Sequence, residues 1–386
     1  MITDTLTSLE QQRAEIVALA RDFAQHDLAP HAAEWDRTAK YPAEAMKKVG
    51  ALGFFGMLTP EEYDGLGLDL LTYLMVLEEI AAGDAGVAVA LSVHNSIAAG
   101  MLMGQGTPEQ RSRWLPPMAR GEFFAAFALS EPDFGSDAGS MTSTARRVPG
   151  GWVLNGTKSW VSNGAHAGLI MVLSRTDQPG HSRGARGISA FLVPRPTPGL
   201  TPGKPEDKMG LRSSHTVALA MSDLHLPADA LLGEEGQGYV YALQALDRGR
   251  LGISAQAVGI ARAALEHSIR YATERRQFER PIREFQAIQF KLADMATRVA
   301  ASRALLHDAA RAAMRGEKSS AAASMAKLFA SETAMWVTTQ AIQVFGGYGY
   351  MRDFPVERLF REAKVTEIYE GTSEIQRIVI SRSLQP

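Results

Sequence analysis

A carboxylate that could remove a proton stands near the end of the sequence, between an aromatic residue and a glycine. Glu370 follows Tyr369 and precedes Gly371. A carboxylate shielded from water becomes a better base because burial raises its pKa. Such a base must also lie against the proton that it removes, and glycine allows the tight turn that this placement requires. Glu370 is therefore the first candidate for a general base.

Several other kinds of chemistry are excluded or disfavoured by the residue types. The sequence has no cysteine, which excludes disulfides, thiolate catalysis, iron–sulfur clusters and cysteine-ligated zinc. The nine histidines are scattered without paired spacing beside a glutamate, so we expect no metal site. Gly151 and Gly156 have the spacing of a phosphate-binding loop, but Thr157 stands where its lysine belongs. Gly346–Gly349 lacks the spacing of the dinucleotide fingerprint.

The length allows an enzyme, and the charge gives no sign of a nucleic-acid or membrane surface. At 386 residues the chain is large enough for two or three domains. A net charge of −2 gives no general attraction to nucleic acid or anionic lipid, and no uninterrupted apolar run reaches membrane-spanning length. The first ten residues lack the features of a secretory signal. We therefore expect a cytoplasmic protein with no membrane insertion and no nucleic-acid partner.

The hydrophobic periodicity divides the chain into three domains. Helical spacing predicts an N-terminal α domain over residues 1–122 and a C-terminal α-bundle domain over 239–386. Alternating apolar residues between them predict a central β domain over 123–238. Asn155-Gly156 predicts a tight hairpin inside it. The order favours an α+β fold and disfavours a Rossmann domain, which needs alternating strands and helices.

Four separated segments together resemble the acyl-CoA dehydrogenase family over nearly the whole chain. They are Ala128–Pro132 with Gly135–Asp137, Arg275–Phe278 with Gln286–Ile288, Gln343 with Gly346–Tyr350, Asp353, Arg358 and Glu362, and Ile368–Ser373. The resemblance implies FAD-dependent formation of a double bond between the α and β carbons of an acyl-CoA thioester. It also implies that Glu370 removes the α proton while its backbone N–H and a flavin hydroxyl hold the thioester oxygen. Some members place the base on the helix that here carries Gly249, which leaves Glu370 as the base in this chain.

The same resemblance assigns binding residues. FAD contacts within one chain would come from Phe127, Leu129, Ser130, Ser136, Trp160, Ser162, Thr372 and Glu374. Contacts to the FAD of a neighbouring subunit would come from Arg275, Gln277, Phe278, Gln286, Gln343, Gly346 and Gly347. Substrate contacts would come from Ser136, Asp247, Arg250 and Gly371. A site shared between subunits implies a homotetramer built as a dimer of dimers.

Substrate range and electron acceptor are constrained less by the sequence. Glutaryl-type members use an arginine in the stretch that corresponds to residues 86–92, and this stretch is uncharged. The segment Ser92–Ser96 is more similar to short-chain and short-branched members, while its His94 is interpreted as an interior histidine. The resemblance implies electron-transferring flavoprotein as acceptor. An acyl-CoA oxidase, which passes electrons to oxygen, is the alternative, although oxidases usually carry a further C-terminal domain. A non-catalytic flavin-binding or nucleic-acid-binding relative is disfavoured by the intact Glu370 motif and the balanced charge.

Overall fold

The first third of the chain is a set of packed helices. The computed structural model describes residues 2–177, 186–317 and 320–384. The N-terminal helices are α1 (Ile2–Phe23), α2 (Ala29–Thr38), α3 (Ala43–Ala51), α4 (Leu70–Gly83), α5 (Ala85–Ser92), α6 (Gly100–Gln105) and α7 (Pro108–Ala119). Asp69 starts α4 by accepting a hydrogen bond from the N–H of Thr72 at 3.0 Å, as expected of an N-cap.

One apolar helical segment passes through the middle of the molecule. A π-helical stretch, Val93–Ala99, joins α5 to α6, so residues 85–105 form one helical segment of 21 residues. Within the described chain this segment alone is long and apolar enough to cross a membrane, and 83% of its most apolar window is buried inside the protein. Its apolar character is therefore explained by packing in the protein interior.

The central β domain is an eight-stranded sheet. Its strands are β1 (Ala125–Ala128), β2 (Thr144–Val148), β3 (Gly151–Ser162), β4 (Leu169–Arg175), β5 (Ile188–Pro194), β6 (Leu200–Pro202), β7 (Thr216–Pro227) and β8 (Leu231–Leu232). The order is β6-β7-β3-β2-β4-β5-β8, with β1 parallel to β4. Val217, Leu219 and Met221 alternate inward on β7 as their spacing predicts.

The hairpin predicted at Asn155-Gly156 is wrong. Both residues lie inside β3, where the pairing with β7 shifts register between Leu154 and Gly156. Gly156 has a φ of 134°, and a Cβ there would lie 2.6 Å from the Cβ of Ser143. The glycine thus serves a bulge and a close approach. The turn that joins β2 to β3 is at Pro149-Gly150, where Gly150 has a φ of 82°.

The last third of the chain is a helical bundle. A 37-residue helix, α8 (Gly238–Glu274), is followed by a short ribbon of β9 (Arg276–Gln277) and β10 (Arg280–Pro281), then by α9 (Gln286–Met314), α10 (Ser320–Phe345), α11 (Pro355–Thr366) and α12 (Ser373–Ser383). Helix α8 packs against α9, α10 and α11 and also against α4 and α5. The fold is therefore α+β, with helical domains before and after the sheet.

Candidate active site

Glu370 lies in the turn between α11 and α12. It has a φ of 52°, and the next residue, Gly371, has a φ of 93°. A left-handed conformation is unfavourable for a non-glycine residue and requires support from its surroundings. That support includes Gln376, whose amide donates to the carbonyl of Glu370 at 3.2 Å and to that of Gly371 at 2.8 Å. Thr372 caps α12 by accepting from the N–H of Ile375 at 3.3 Å. The turn thus aims the Glu370 side chain back into the protein.

The carboxylate of Glu370 points at α8. A Cβ on Gly249 would lie 2.2 Å from Oε2 of Glu370. Both carboxylate oxygens are buried, and neither has a hydrogen-bond partner within the described part of the chain. A buried polar group without a partner is uncommon in folded proteins and often marks a functional group.

Burial controls the acidity of this carboxylate. It raises the pKa of Glu370 to about 7, and the positive charges of Lys327 and Arg250 oppose the shift. A base with a pKa near the working pH is well suited to proton transfer. The position and the environment of Glu370 therefore match what a general base needs.

The first group of candidate cofactor residues comes together where β1 and β3 end. Phe127 is on β1, and Ser130 lies just beyond it, its carbonyl accepting from the N–H of Ser159 at 2.9 Å. Trp160 has a φ of 61°, lies at the second register shift of β3 and is 63% exposed. An indole this exposed provides a flat apolar surface for a ring system. Ser162 ends β3, two residues further along.

A buried ion pair that the sequence analysis did not identify supports this group. Lys158 is fully buried and donates to Glu131 at 2.8 Å and to the carbonyl of Leu129 at 3.2 Å. Although burial acts in the opposite direction, Lys158 lowers the pKa of Glu131 to about 2. Glu131 also accepts from the N–H groups of Thr142 and Ser143. The pair fixes the loop that carries Leu129 and Ser130.

The first group is connected to Glu370 by packing. Strand β1 packs on residues 93–99, and Ile97 of that stretch lies beside Gly249. His94, from the same stretch, is fully buried and accepts from the N–H of Ala125 through Nδ1 at 2.9 Å. Its Nε2 has no partner among the described residues, and burial lowers the pKa of His94 to about 4. His94 is thus an interior, neutral histidine with one nitrogen satisfied.

The second group of candidate cofactor residues lies at the other end of α8. Arg275, Gln277, Gly346 and Gly347 line one cavity of about 580 Å³. The guanidinium of Arg275 lies 5.4 Å from the centre of the Tyr348 ring. Three further candidates lie on nearby elements. Phe278, which is 88% exposed, is in the turn between β9 and β10. Gln286 begins α9, Gln343 is in the last turn of α10, and both are exposed.

The second group is far from Glu370 within one chain. Gly249 and Arg275 are 26 residues apart along the α8 axis. A rise of about 1.5 Å per residue makes this separation about 39 Å. Gly346 and Gly347 have nothing within 4 Å of an added Cβ, so their backbone is open to an approaching group. The second group therefore faces outward, away from the Glu370 of its own chain.

Three of the four candidate substrate residues lie in or near the Glu370 turn, and the fourth, Ser136, lies on a surface loop. Arg250 is buried, is paired with Asp247 at 2.5 Å and acts electrostatically on Glu370. Gly371 is part of the turn itself. Ser136 is exposed on the loop after β1. Asp247 also accepts from Ser320 of α10, so the Asp247–Arg250 pair is held between two helices.

Two more side chains contact the Glu370 turn and were not predicted. Lys327 of α10 donates to the carbonyl of Gly371 at 2.8 Å, and the hydroxyl of Tyr369 donates to Gln256 of α8. The amide of Gln256 in turn donates to the carbonyl of Ala85 at 2.7 Å. A signal for Lys327 is present in the sequence: it follows Ala323 by four residues and so occupies the apolar stripe of its helix.

Three family models match the chain in order. They are the acyl-CoA dehydrogenase N-terminal domain over residues 10–122, the middle domain over 126–224 and the C-terminal domain over 236–385. The short-chain specific acyl-CoA dehydrogenase of Bos taurus is 48% identical over 364 residues, which are 94% of this chain and 88% of that protein. An acyl-CoA dehydrogenase of Bacillus subtilis is 46% identical over 374 residues, 97% of this chain and 98% of that one.

Solved structures with the same fold include relatives at substantial identity. Butyryl-CoA dehydrogenase from Megasphaera elsdenii has a TM-score of 0.94 at 41% identity, covering 96% of this chain and 97% of that one. A chain from a structure of the electron transferring flavoprotein of Acidaminococcus fermentans has a TM-score of 0.94 at 44% identity, with the same coverage. A glutaryl-CoA dehydrogenase of Mycobacterium smegmatis in complex with FADH2 has a TM-score of 0.92 at 33% identity, covering 100% and 97%. The chain therefore belongs to the acyl-CoA dehydrogenase family, flavoprotein oxidoreductases that act on CH–CH bonds.

Proposed function

We propose that this protein converts short or short-branched acyl-CoA thioesters into trans-2-enoyl-CoA with bound FAD, with Glu370 as the base that removes the α proton. The observation that carries the proposal is the carboxylate of Glu370, which is buried against Gly249, has no partner among the described residues and has a pKa raised to about 7. At neutral pH a large fraction of this carboxylate is charged and can accept a proton.

Two features of the chain fit an FAD. Trp160 presents an exposed ring beside the loop that the Lys158–Glu131 pair fixes, and Gly346 and Gly347 leave open backbone beside the Arg275 guanidinium. When bound, FAD supplies the acceptor for the two electrons that leave with the β hydrogen. The residues of this chain place the substrate, exclude water and receive the α proton on Glu370.

The turn that holds Glu370 also offers a backbone donor. None of the backbone hydrogen bonds of this turn within the described part of the chain uses the N–H of Glu370. A free N–H at this point can donate to the thioester oxygen and stabilise the negative charge that grows there as the α proton leaves.

The proposal includes an assembly of four chains. The separation of about 39 Å along α8, from a rise of about 1.5 Å per residue, supports a site completed by the second residue group of a neighbouring subunit. Phe278 and Tyr350, at 88% and 84% exposure, lie at that end of the bundle, and exposed apolar clusters often mark interfaces. A homotetramer arranged as a dimer of dimers satisfies both features.

Short substrates and an electron-transferring flavoprotein acceptor are supported by the relatives. Residues 86–92 form the fully buried helix α5 without a charge, which gives no partner for the second carboxylate of a glutaryl group. The mammalian relatives are named short-chain specific, and the Megasphaera relative is named for butyryl-CoA. The match to a chain in an electron transferring flavoprotein structure supports that acceptor.

Anaerobic mixing with a panel of CoA esters tests the function. Butyryl-CoA or isobutyryl-CoA should bleach the flavin absorbance faster than octanoyl-, palmitoyl- or glutaryl-CoA. A Glu370→Gln variant keeps the shape and hydrogen bonding of the side chain but cannot take the proton, so bleaching should slow by about 10² to 10⁴. Bleaching of that variant at the wild-type rate would remove the role of base from Glu370. Rapid peroxide formation by wild type in air would assign the protein to the oxidases.

A further inference from the structure

A lysine is buried next to the proposed base. Lys327 of α10 is fully buried, on a face of the helix that it shares with the buried residues Ala323, Ala330 and Ala334. Burying an ammonium group is costly unless it is hydrogen-bonded and faces an opposite charge. The position therefore requires an explanation in terms of its contacts.

The contact of Lys327 is with the backbone of the turn. Its Nζ donates to the carbonyl of Gly371 at 2.8 Å, the same carbonyl to which Gln376 donates at 2.8 Å. Glu370 and Gly371 both have positive φ angles. Two donors on one carbonyl fix the orientation of the peptide that joins Gly371 to Thr372, and they help to hold the turn in a conformation that Glu370 would not adopt unaided.

The two cations near Glu370 differ in their hydrogen-bond partners. Arg250 of α8 is paired with Asp247, whereas Lys327 donates to a carbonyl. The other ionisable groups that act on Glu370 or Lys327 are Tyr73, Glu367, Tyr369 and Glu374. Burial lowers the pKa of Lys327 to about 8, and the charge of Glu370 opposes this. Lys327 and Glu370 thus favour each other's charged form.

We propose that Lys327 is a positioning residue for Glu370, clamping the turn that carries it through the Gly371 carbonyl and placing an ammonium charge near the carboxylate. The proposal rests on the proposed role of Glu370 as base. It does not place Lys327 in contact with substrate or flavin.

Replacing Lys327 by methionine, which is apolar and of similar length, separates the effect of its charge from the effect of its packing. In Lys327→Met, the pH midpoint of flavin reduction by butyryl-CoA should rise by about one unit, the usual effect of removing a nearby opposite charge. The rate should therefore fall about tenfold more below pH 7 than at pH 9. Lys327→Arg keeps the charge and should keep the wild-type midpoint within a few tenths of a unit. Lys47→Met is the matched control, because it removes an exposed ammonium from α3 that pairs with Glu44, and its profile should not move.

A direct titration of Glu370 gives a second readout that does not depend on turnover. The infrared stretch of the protonated carboxyl, assigned by its loss in Glu370→Gln, should titrate at higher pH in Lys327→Met than in wild type. A uniform loss of rate at every pH with an unmoved carboxyl titration would reduce Lys327 to a packing role and overturn the proposal. If Lys327→Met does not fold, a shift of a full unit in Lys327→Arg would overturn it equally. Absence of bleaching in wild type with every CoA ester would instead reject the proposed function, while the carboxyl titration still tests Lys327.

Discussion

At the scale of single residues, the proposed site depends on one carboxylate and the space left for it. Glu370 meets α8 at a position where no side chain projects, because residue 249 is glycine. Any side chain there would compete with the carboxylate for the same volume. The chemistry of Glu370 and the absence of a side chain on Gly249 are therefore one feature of the site.

A Gly249→Ala variant should lose activity without losing stability. The new Cβ would lie 2.2 Å from Oε2 of Glu370, and the flexible carboxylate would move away from it. Misplacement of a catalytic group by about 1 Å can cost about 10² in rate, whereas alanine in a helix interior is favoured over glycine. Flavin reduction by butyryl-CoA and the thermal midpoint measure the two effects. Gly104→Ala in α6 is the control, because an added Cβ there meets nothing within 4 Å. It should leave both the rate of flavin reduction and the thermal midpoint nearly unchanged.

The pKa of Glu370 also predicts a pH-dependent stability. The folded-state pKa, about 7, is above the ordinary value of 4.5, so the folded protein binds more protons than the unfolded chain between these values. Stability from this group is thus present at low pH and is lost as the pH rises through 7. Glu370→Gln should be more stable than wild type at pH 8, by at most about 3.4 kcal/mol, and within about 1 kcal/mol of it at pH 5. Thermal unfolding at both pH values measures this, and a difference that does not vary with pH would contradict it.

At the scale of elements, α8 connects two halves of the proposed chemistry. Near its start it carries Gly249 and Arg250 beside Glu370, and just past its end it presents Arg275 to a surface cavity. A continuous helix of 37 residues holds these two positions apart. If the Arg275 end of α8 in one subunit lies beside the Glu370 end of a neighbouring subunit, each subunit completes the proposed FAD site of the other.

Arg275→Ala should loosen FAD more than it destabilises the fold. The guanidinium lies over Tyr348, an exposed cation–π contact worth about 0.5–1 kcal/mol. A charge-assisted hydrogen bond to a pyrophosphate would be worth about 1.5–3 kcal/mol, which corresponds to a 10- to 100-fold weaker FAD affinity. Equilibrium dialysis measures the loss of FAD affinity, and thermal unfolding measures the loss of stability. Arg276→Ala is the control, since Arg276 donates to the carbonyl of Glu279, and equal FAD loss in both variants would argue against a specific contact.

At the scale of the whole molecule, cofactor and assembly should depend on each other. If each FAD is held by two subunits, the purified protein should be a yellow tetramer with about one FAD per chain. Removal of FAD at low pH and high salt should promote dissociation, and re-addition should restore the tetramer, since a ligand that binds only the assembled form stabilises it. Light scattering with flavin absorbance tests this coupling. A monomer that retains a full complement of FAD would reject the shared site.

The amino-acid sequence alone predicted the order of the helical and β domains, which the structure confirms, and it singled out the residue that we propose as the base. Apolar residues recur about every 3.6 positions in a helix and every 2 in a strand. This spacing is a local property of the sequence, so α8 and β7 could be predicted from their own residues. Glu370 could be identified because its neighbours in sequence, Tyr369 and Gly371, form a recognisable motif. The error at Asn155-Gly156 has the opposite cause. Gly156 closely approaches Ser143, which lies just before β2 and is distant from the pair in sequence, so no local pattern distinguishes a bulge from a hairpin there.

Only the tertiary structure decided which distant residues surround Glu370, the proposed base. Gly249, Lys327 and Glu370 come from different helices or turns, and no local pattern states that they meet. Lys327 shows the physical reason most clearly: a lysine within an alanine-rich helix could as well face water, and only packing of α10 against α8 and α12 places it in the interior. The pKa of Glu370 has the same origin, since burial is a property of the packed molecule and not of the segment that carries the carboxylate.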